Sequence, residues 1–524
     1  MNFKQKKLQI AIVAALSLNQ DVALAQFNPQ LDLADLNGSN GFAINGVNPD
    51  DYSGGSVSYA GDINGDGIDD VIIGALGVDS NGNSNAGSSY VVFGSDSGLP
   101  NPLNLSSING SNGFVINGVN VDDESGRSVS HAGDVNGDGM DDVIIGARYA
   151  DPNGNGYAGS SYVVFGSDSG FPNPFNLFTL NGSNGIVING VDEYDFSGIS
   201  VSHAGDINGD GIDDVIIGAP LADPNGNSYA GSSYVVFGSD SGLPNLFNLS
   251  TLNGNNGFVI NGVGAGDFSG VSVSHAGDVN GDGIDDVIIG AYHADTTRTD
   301  AGRSYVVFGS DSGLPHPLNL STLNGSNGFV INGVGTGDFS GVSVSHAGDI
   351  NGDGIDDVII GAHHADTTRT NAGKSYVVFG SDSGLPNPFN LSNLNGVNGI
   401  VINGENAFDY SGHSVSHAGD VNGDGIDDVI IGARLADPNG NSRAGKSYVV
   451  FGSDSGFPHP LYLAALNGSN GFIINGVNTD DYSGVSVSHT GDVNGDGMDD
   501  IIIGARYADP NGNEKAGSSY VVFG

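Results

Sequence analysis

The 524-residue chain contains no cysteine and no tryptophan. The absence of cysteine excludes disulfide bridges and thiolate metal ligands, so the fold must be stabilised in another way. Basic residues are also scarce: 14 lysines and arginines stand against 60 acidic residues, for a formal net charge of −46. Such a charge repels nucleic acid and attracts cations, so we expect no nucleic-acid partner.

Long apolar runs are missing too, and the most apolar segment lies near the N-terminus. Lys4, Lys6 and Lys7 precede a mostly apolar stretch at residues 8–18, which is too short to span a bilayer. Ala23 and Ala25 then offer the small residues of a cleavage site. We predict a Sec signal peptide at residues 1–25, with cleavage near Ala25-Gln26. The protein would then be secreted, with the periplasm or the cell surface as possible locations, and without a membrane span.

Glycine, by contrast, is abundant, with 88 residues, and it belongs to a repeated pattern. An acidic loop begins at seven aspartates that are 71 or 72 residues apart: Asp62, Asp134, Asp206, Asp278, Asp349, Asp420 and Asp492. We number the seven units by these loops. Each unit holds four short segments like GFVING, RSVSHAG, DDVIIGA and SSYVVFG, bounded by turn residues and without helical periodicity. We predict one all-β domain of seven repeats over residues 26–524.

The apolar pattern of these segments indicates how the repeats assemble. In the DVIIGA segment of unit 2, Val143 and Ile145 face one way and Ile144 the other, so this strand needs cover on both faces. A seven-bladed β-propeller of four-stranded antiparallel blades provides that cover. We also expect residues 41–46 to close the ring as the outer strand of the last blade. Deleting residues 27–50 should therefore destabilise the fold far more than an average terminal truncation.

The acidic loop has the composition of a calcium site. In unit 2 its first, third, fifth and ninth residues carry side-chain oxygens, and the seventh, Met140, can offer its backbone carbonyl. Calcium takes six to eight oxygen ligands, and Gly139 at the sixth position allows a sharp turn with positive φ. We predict up to seven Ca²⁺ ions held by Asp62, Asn64, Asp66, Ile68, Asp70, Asp134, Asn136, Asp138, Met140, Asp142, Asp206, Asn208, Asp210, Ile212, Asp214, Asp278, Asn280, Asp282, Ile284, Asp286, Asp349, Asn351, Asp353, Ile355, Asp357, Asp420, Asn422, Asp424, Ile426, Asp428, Asp492, Asn494, Asp496, Met498 and Asp500.

Rival types of metal site match the loop less well. An EF-hand needs an acidic residue at the twelfth loop position, where unit 1 has Ile73. A calcium-binding β-helix has a much shorter period, and transition metals favour His or Cys ligands. The remaining alternative is a metal-free turn, against which seven complete ligand sets argue. The eighth loop residue, Asp69 in unit 1, is expected to face solvent or to bond loop amides.

The strings SGxSVSxAGDxNGDGxDDVIIGA and GxSYVVFG recur in all seven units with few substitutions. They resemble the FG-GAP repeat of integrin α-subunit propellers and of secreted bacterial proteins. The resemblance implies a seven-bladed propeller with calcium loops on one face and a role in adhesion. This sequence departs from the family in placing Ser53 between Tyr52 and Gly54, and in having seven competent loops. No inserted domain interrupts a unit, which argues against integrin-style signalling.

Six of the twelve histidines share one inner-strand position: His131, His203, His275, His346, His417 and His489. They could form a metal-binding or pH-sensing ring, but we prefer a packing and hydrogen-bonding position copied with the repeat. Residues that break the symmetry are candidates for ligand contacts at loop tips. These are Arg148, Tyr292, His293, His363, His364, Arg434 and Arg506.

No catalytic constellation is evident, because the paired aspartates belong to the acidic loops and the Gly/Ser-rich strings lack an assignable His–Asp partner. We therefore predict a non-enzymatic, calcium-binding adhesion or recognition module for an extracellular protein or a surface polysaccharide. The alternative is a lectin or a carbohydrate-active enzyme, a polysaccharide lyase or hydrolase, on the same scaffold. Residues 292–298 and 363–369 would then be the place to seek its active site.

Overall fold

The computed structural model describes residues 27–524, and the predicted signal peptide lies outside them. These residues form seven separate five-stranded sheets. Each innermost strand packs against the innermost strands of two neighbouring sheets, and that of unit 7 packs against that of unit 1. The predicted seven-bladed β-propeller is confirmed.

Four strands of each blade follow the four predicted segments. The inner strands are Ser56–Gly61, Ser128–Gly133, Ser200–Gly205, Ser272–Gly277, Ser343–Gly348, Ser414–Gly419 and Ser486–Gly491. The second strands are Asp70–Ala75, Asp142–Ala147, Asp214–Ala219, Asp286–Ala291, Asp357–Ala362, Asp428–Ala433 and Asp500–Ala505. The third strands are Ser88–Val92, Ser160–Val164, Ser232–Val236, Arg303–Val307, Lys374–Val378, Lys446–Val450 and Ser518–Val522. The outer strands are Gly41–Asn45, Gly113–Asn117, Gly185–Asn189, Gly257–Asn261, Gly328–Asn332, Gly399–Asn403 and Gly471–Asn475.

The prediction of four-stranded antiparallel blades is wrong in one respect, because each blade has a fifth strand that makes its sheet mixed. These edge strands are Gln30–Asp32, Leu103–Asn104, Phe175–Asn176, Leu246–Asn248, Leu318–Asn319, Phe389–Asn390 and Leu461–Tyr462. Phe175–Asn176 of unit 2, for example, runs parallel to the outer strand Gly113–Asn117 of the preceding blade. A strand of two or three residues is too short to show alternation, and it is placed by burial of side chains such as Phe175 between blades.

Helical structure in the described residues is limited to 3₁₀ turns of three residues. They are Leu33–Asp35, Ser80–Gly82, Leu105–Ser107, Pro152–Gly154, Leu177–Thr179, Pro224–Gly226, Leu249–Thr251, Leu320–Thr322, Leu391–Asn393, Pro438–Gly440, Leu463–Ala465 and Pro510–Gly512. Within residues 27–524 the structure contains no helix with the length and apolarity needed to cross a membrane.

The hydrophobic core lies between neighbouring blades. In unit 2, Val143 and Ile145 pack towards unit 1, whereas Ile144 packs towards unit 3. Both faces of the second strand are therefore covered, as its apolar pattern predicts. The blades approach so closely that a Cβ atom at Gly146 would collide with the carbonyl oxygen of Gly198. Only glycine fits at this contact.

The two ends of the described chain meet in one blade. The outer strand Gly41–Asn45 pairs antiparallel with the third strand Ser518–Val522, next to the inner and second strands of unit 7. Phe42 and Ile44 from this N-terminal strand are each 1% exposed and belong to the core between units 7 and 1. The ring thus joins residues at opposite ends of the sequence.

Candidate metal loops

The seven acidic loops lie at one end of the central channel, where each inner strand ends and the second strand begins. Their ninth residue, Asp70 in unit 1, is the first residue of the second strand. The sixth residue has the predicted positive φ, which is 87° at Gly67 and 88° at Gly139. The loop can therefore turn sharply and place its first and ninth residues close together.

Hydrogen bonds within each loop hold its carboxylates in place. In unit 2, Asp134 Oδ1 accepts from Asp138 N at 3.0 Å and Asp134 Oδ2 from Gly139 N at 2.7 Å. Asp138 Oδ1 accepts from Met140 N at 3.0 Å. Asn136 Nδ2 lies 3.4 Å from Asp142 Oδ1 and donates to it. The four predicted side-chain ligands of unit 2 are therefore each held by hydrogen bonds within the loop.

The ninth residue of every loop is a fully buried aspartate. All seven carboxyl groups have 0% exposure, at Asp70, Asp142, Asp214, Asp286, Asp357, Asp428 and Asp500. Burial, together with the nearby charges of Asp66 and Asp62, raises the pKa of Asp70 to about 8. Burial also raises the pKa of Asp142 well above its usual range, and Asp138 and Asp134 add to the effect. Within residues 27–524 no Lys, Arg or His nitrogen lies within 4 Å of these seven carboxylates.

The oxygen-rich donor set fits a hard cation such as Ca²⁺. Nevertheless, the described part of the chain contains no group of three His, Asp or Glu side chains that is already arranged to hold a metal ion. The hydrogen bonds explain this, because Asp134 turns its oxygens towards loop amides and Asn136 turns its amide nitrogen towards Asp142. Exchanging the oxygen and nitrogen of Asn136 would bring a further oxygen to the loop.

The eighth loop residue connects neighbouring blades and does not belong to the same cluster. Asp141 Oδ2 accepts from Asp62 N of unit 1 at 2.9 Å, and its Oδ1 lies 3.0 Å from His131 Nε2. In the next blade burial works against ionisation, but the hydrogen bond from His203 holds the pKa of Asp213 at about 2. Burial lowers the pKa of His203 to about 4, so a neutral imidazole donates to a charged carboxylate at neutral pH.

The repeated histidines accordingly have a structural role. Five of the six lie 3.0–3.2 Å from the aspartate of their own blade, and Tyr59 donates to Asp69 at 3.0 Å in unit 1. Their rings and the inner-strand serines line a channel cavity of about 290 Å³. Because three of these Nε2 atoms hydrogen-bond a carboxylate, at His131, His203 and His346, and two more lie within 3.2 Å of one, the contacts favour the packing interpretation over a metal-binding ring.

The residues that break the repeat symmetry lie at the opposite end of the blades, where second strands end. Arg148 pairs with Glu124 at 2.8 Å, and His293 Nδ1 lies 2.9 Å from Asp300. Sequence reasoning missed two neighbouring residues, Arg127 and His413, which directly precede inner strands. Comparing the repeats could have revealed them, because the other five units have Gly, Ile or Val at this position: Gly55, Ile199, Val271, Val342 and Val485.

Comparisons with known proteins agree with this architecture. The FG-GAP repeat pattern matches residues 54–92, 125–164, 197–236, 269–307, 340–378, 411–450 and 483–522. Phosphatidylinositol-glycan-specific phospholipase D of Bos taurus is 32% identical over 187 residues, which cover 34% of this chain and 21% of that protein. Integrin alpha pat-2 of Caenorhabditis elegans is 33% identical over 239 residues, covering 44% of this chain and 17% of that protein. The chain thus spans about a fifth of the length of these two curated relatives.

Among solved structures, the V. cholerae biofilm matrix protein Bap1 aligns with 91% of this chain and 88% of its own, at 12% identity and a TM-score of 0.25. The seven matches to the repeat pattern each begin immediately before an inner strand and end within the third strand of the same blade. Together they cover more than half of the sequence, and the chain belongs to the FG-GAP repeat family.

Proposed function

We propose that this protein is a secreted, calcium-stabilised propeller that acts as a recognition or adhesion module. The observation that carries the calcium assignment is the buried ninth aspartate, which occurs in all seven loops beside two further carboxylates and without a protein cation. A buried, unpaired carboxylate is costly unless a proton or a metal ion neutralises it. Calcium does so with oxygen ligands alone.

Calcium would act here as a structural ion. The ninth loop residue begins the second strand, so a bound ion would tie the inner strand to the second strand in each blade. Seven ions would also cancel up to 14 of the negative charges and reduce repulsion within the chain. Extracellular calcium modules bind with dissociation constants of about 0.1–1 mM, so the sites would fill outside the cell.

Recognition is supported by the relatives and by the symmetric scaffold. The named relatives include integrin alpha subunits and a phospholipase D, and in both the matched part is about a fifth of the protein. The match covers a minor part of each relative, so the phospholipase activity of one of them is not carried over to this chain. We therefore propose recognition or adhesion as the function of this propeller.

Calorimetric calcium titration of the EDTA-treated protein tests the metal assignment. We expect about seven equivalents to bind and the melting temperature to rise markedly. Little heat and an unchanged melt would show that the loops are solvated turns. Incubation with polysaccharides then separates binding from catalysis: retention without products supports recognition, whereas soluble cleavage products would establish the enzymatic alternative. The N-terminal sequence of the exported protein tests the predicted cleavage near Ala25-Gln26.

A further inference from the structure

Basic side chains gather at the end of the channel that lies opposite the acidic loops. The residue before each inner strand and the residue after each second strand surround this opening. Six of these positions carry a basic side chain, and we call them the basic mouth: Arg127, Arg148, His363, His413, Arg434 and Arg506. Only eleven lysines and arginines follow residue 25, and four of them concentrate here.

These six residues come from units 2, 5, 6 and 7, but they interact with one another. Burial lowers the pKa of His413 well below its usual range, and the charges of Arg434, His363, Arg506 and Arg127 lower it further. Burial likewise lowers the pKa of Arg127 to about 10, with Arg148 and Arg506 adding to the effect. Burial lowers the pKa of His363 to about 3, so the two imidazoles are neutral at neutral pH. The four arginine cations around the opening repel one another, which is unfavourable unless a negative charge lies near them.

The protein itself supplies little of that negative charge. Glu124 neutralises Arg148, with which it makes an ion pair of 2.8 Å. Within residues 27–524 no carboxylate lies within 4 Å of Arg127, Arg434 or Arg506. Farther out on the same face, by contrast, Arg443 pairs with Asp480 at 2.7 Å. Three of the four guanidinium groups in the basic mouth therefore have no carboxylate partner in the described protein.

Hydrogen-bond donors in the basic mouth are also left without partners. The donors concerned are Arg127 Nε, Arg434 Nε and Arg506 Nε, all buried and without a hydrogen-bond partner in the described protein. The Nδ1 atoms of His363 and His413, which donate in one tautomer, are likewise buried and without a partner. A buried donor without an acceptor costs about 1–3 kcal/mol, and more when it is charged. Several such donors in one place point to an acceptor that comes from outside the chain.

Aromatic rings stand beside these donors. The Arg506 guanidinium lies 4.7 Å above the Tyr507 ring, which packs against Tyr482 at 5.1 Å. The His363 ring lies 5.9 Å from that of Tyr410. Tyr482, Tyr507 and Arg434 help line a cavity of about 530 Å³ between units 6 and 7. Its lining also contains two further basic residues, Arg443 and Lys515, and three acidic ones, Asp480, Asp509 and Glu514. Such rings offer an apolar face together with a polar hydroxyl, which suits the face of a sugar ring.

We propose that the basic mouth binds an acidic oligosaccharide through a carboxylate or sulfate group on the sugar. Arginine forms paired hydrogen bonds with both groups because its planar fork of donors matches two oxygens. The remaining surface is strongly acidic, so the ligand must carry its charge sparsely or at one end. Nucleic acid, with one charge per about 1.7 Å of helix axis, does not meet that condition.

The acidic loops do not prevent such a ligand from binding. Strands of six residues at about 3.3 Å per residue separate the two ends of a blade by roughly 20 Å. The Debye length at physiological ionic strength is about 8 Å, so charges on the loop side are largely screened at the basic mouth. The site therefore complements the recognition role proposed above, on which it rests, without depending on calcium occupancy.

Binding of defined oligosaccharides tests the proposal. A trisaccharide with one terminal galacturonate and a trisaccharide with one terminal sulfate provide the two acidic groups. A neutral trisaccharide is the sugar control, and inorganic sulfate is the ion control. We expect one of the acidic sugars, or both, to bind the calcium-loaded chain, and the two control ligands to bind at least tenfold more weakly. Arg434→Gln and Arg506→Gln should each weaken binding about 10- to 100-fold, because each removes a charge-assisted hydrogen bond.

Arg303→Gln, at the first residue of the third strand of unit 4 and outside the basic mouth, is the matched control and should leave affinity unchanged. Melting curves of all variants show whether each is folded. Equal affinity in Arg434→Gln and Arg506→Gln would place the sugar elsewhere and overturn the proposal. Sulfate ion that binds as tightly as the acidic trisaccharides would overturn the oligosaccharide assignment. The assignment would also be overturned if an acidic peptide, used as a further control ligand, bound while the acidic trisaccharides did not. If calcium binds normally but none of the acidic ligands binds, this inference is refuted and the metal assignment stands. If calcium does not bind, the metal assignment alone is refuted.

Discussion

The most informative perturbation is Asp214→Asn, which removes one buried carboxylate from the acidic loop of unit 3. Asp214 is 0% exposed, and its Oδ1 accepts a hydrogen bond from Gly238 N at 2.9 Å. Asparagine has the same shape and can keep that bond through its amide oxygen. The substitution thus removes a buried charge and replaces Asp214 Oδ2, which accepts from Asn208 Nδ2, with an amide nitrogen that cannot bind a cation. The volume of the side chain is unchanged.

The expected effect follows from binding linkage. At ~10 mM calcium and a dissociation constant of ~0.1–1 mM, each site stabilises the fold by ~1.4–2.7 kcal/mol. An unfolding entropy of ~2.1 cal/mol/K per residue gives ~1 kcal/mol/K for a ring of this length that unfolds cooperatively. One lost site should therefore lower the melting temperature by about 2 °C, and stripping all seven by about 10–19 °C.

The assay compares melts in calcium and in EDTA with calorimetric stoichiometry. Asp214→Asn should bind about six ions and should melt at a lower temperature than the parent in calcium. In EDTA it should melt no lower than the parent, because the substitution has removed a buried charge. Asp213→Asn is the control, because Asp213 bonds His203 and the amide of Asp134 instead. It should melt lower in both conditions and still bind seven ions. Unchanged stoichiometry in Asp214→Asn, or equal losses with and without calcium, would refute the ligand assignment.

Three further predictions concern the scaffold. Deleting residues 27–50 removes the buried Leu33, Phe42 and Ile44 and should cost on the order of 5–9 kcal/mol in urea denaturation; an unchanged midpoint would contradict ring closure by this segment. Burial raises the pKa of Asp195 to about 7, so its protonated form stabilises the fold below about pH 4 and that contribution is lost as the pH rises through 7. Asp195→Asn should therefore melt higher than the parent at pH 8 and alike at pH 4, and equal differences at both would be inconsistent with titration. Gly146→Ala should destabilise by several kcal/mol because of the collision with Gly198, whereas Gly156→Ala, which has open space, should be nearly neutral; similar melts would exclude the close blade contact.

Much of the fold could be predicted because the same local pattern of residues occurs in all seven repeats. The apolar residues at both parities in Val143–Ile145 required neighbours on both faces, and the ring of blades supplies them. The sharp turn at Gly139 followed from its position among oxygen-bearing residues. Each of these features depends on residues that are close in sequence, so a single unit already contains the information.

Contacts between units could not be read in the same way. The two-residue edge strand at Phe175 carries no periodic signal, and the bond from Asp141 to the amide of Asp62 joins two different blades. The sequence predicted that the eighth loop residue either faces solvent or bonds loop amides, and it did not indicate that Asp141 would bond an amide of another blade. Such contacts depend on the angle between blades, which the packing of side chains between neighbouring sheets sets.

Local patterns of apolar, turn and charged residues determine the number of repeats and the strands in each repeat. The same patterns determine the composition of the acidic loops. The meeting of Arg127 of unit 2 with His413 and Arg434 of unit 6 across one opening is a property of the folded ring alone. This difference arises because closure pairs Gly41–Asn45 with Ser518–Val522 and so brings together side chains far apart in the chain. The local sequence pattern therefore determines each blade, whereas the basic mouth forms only when the ring closes.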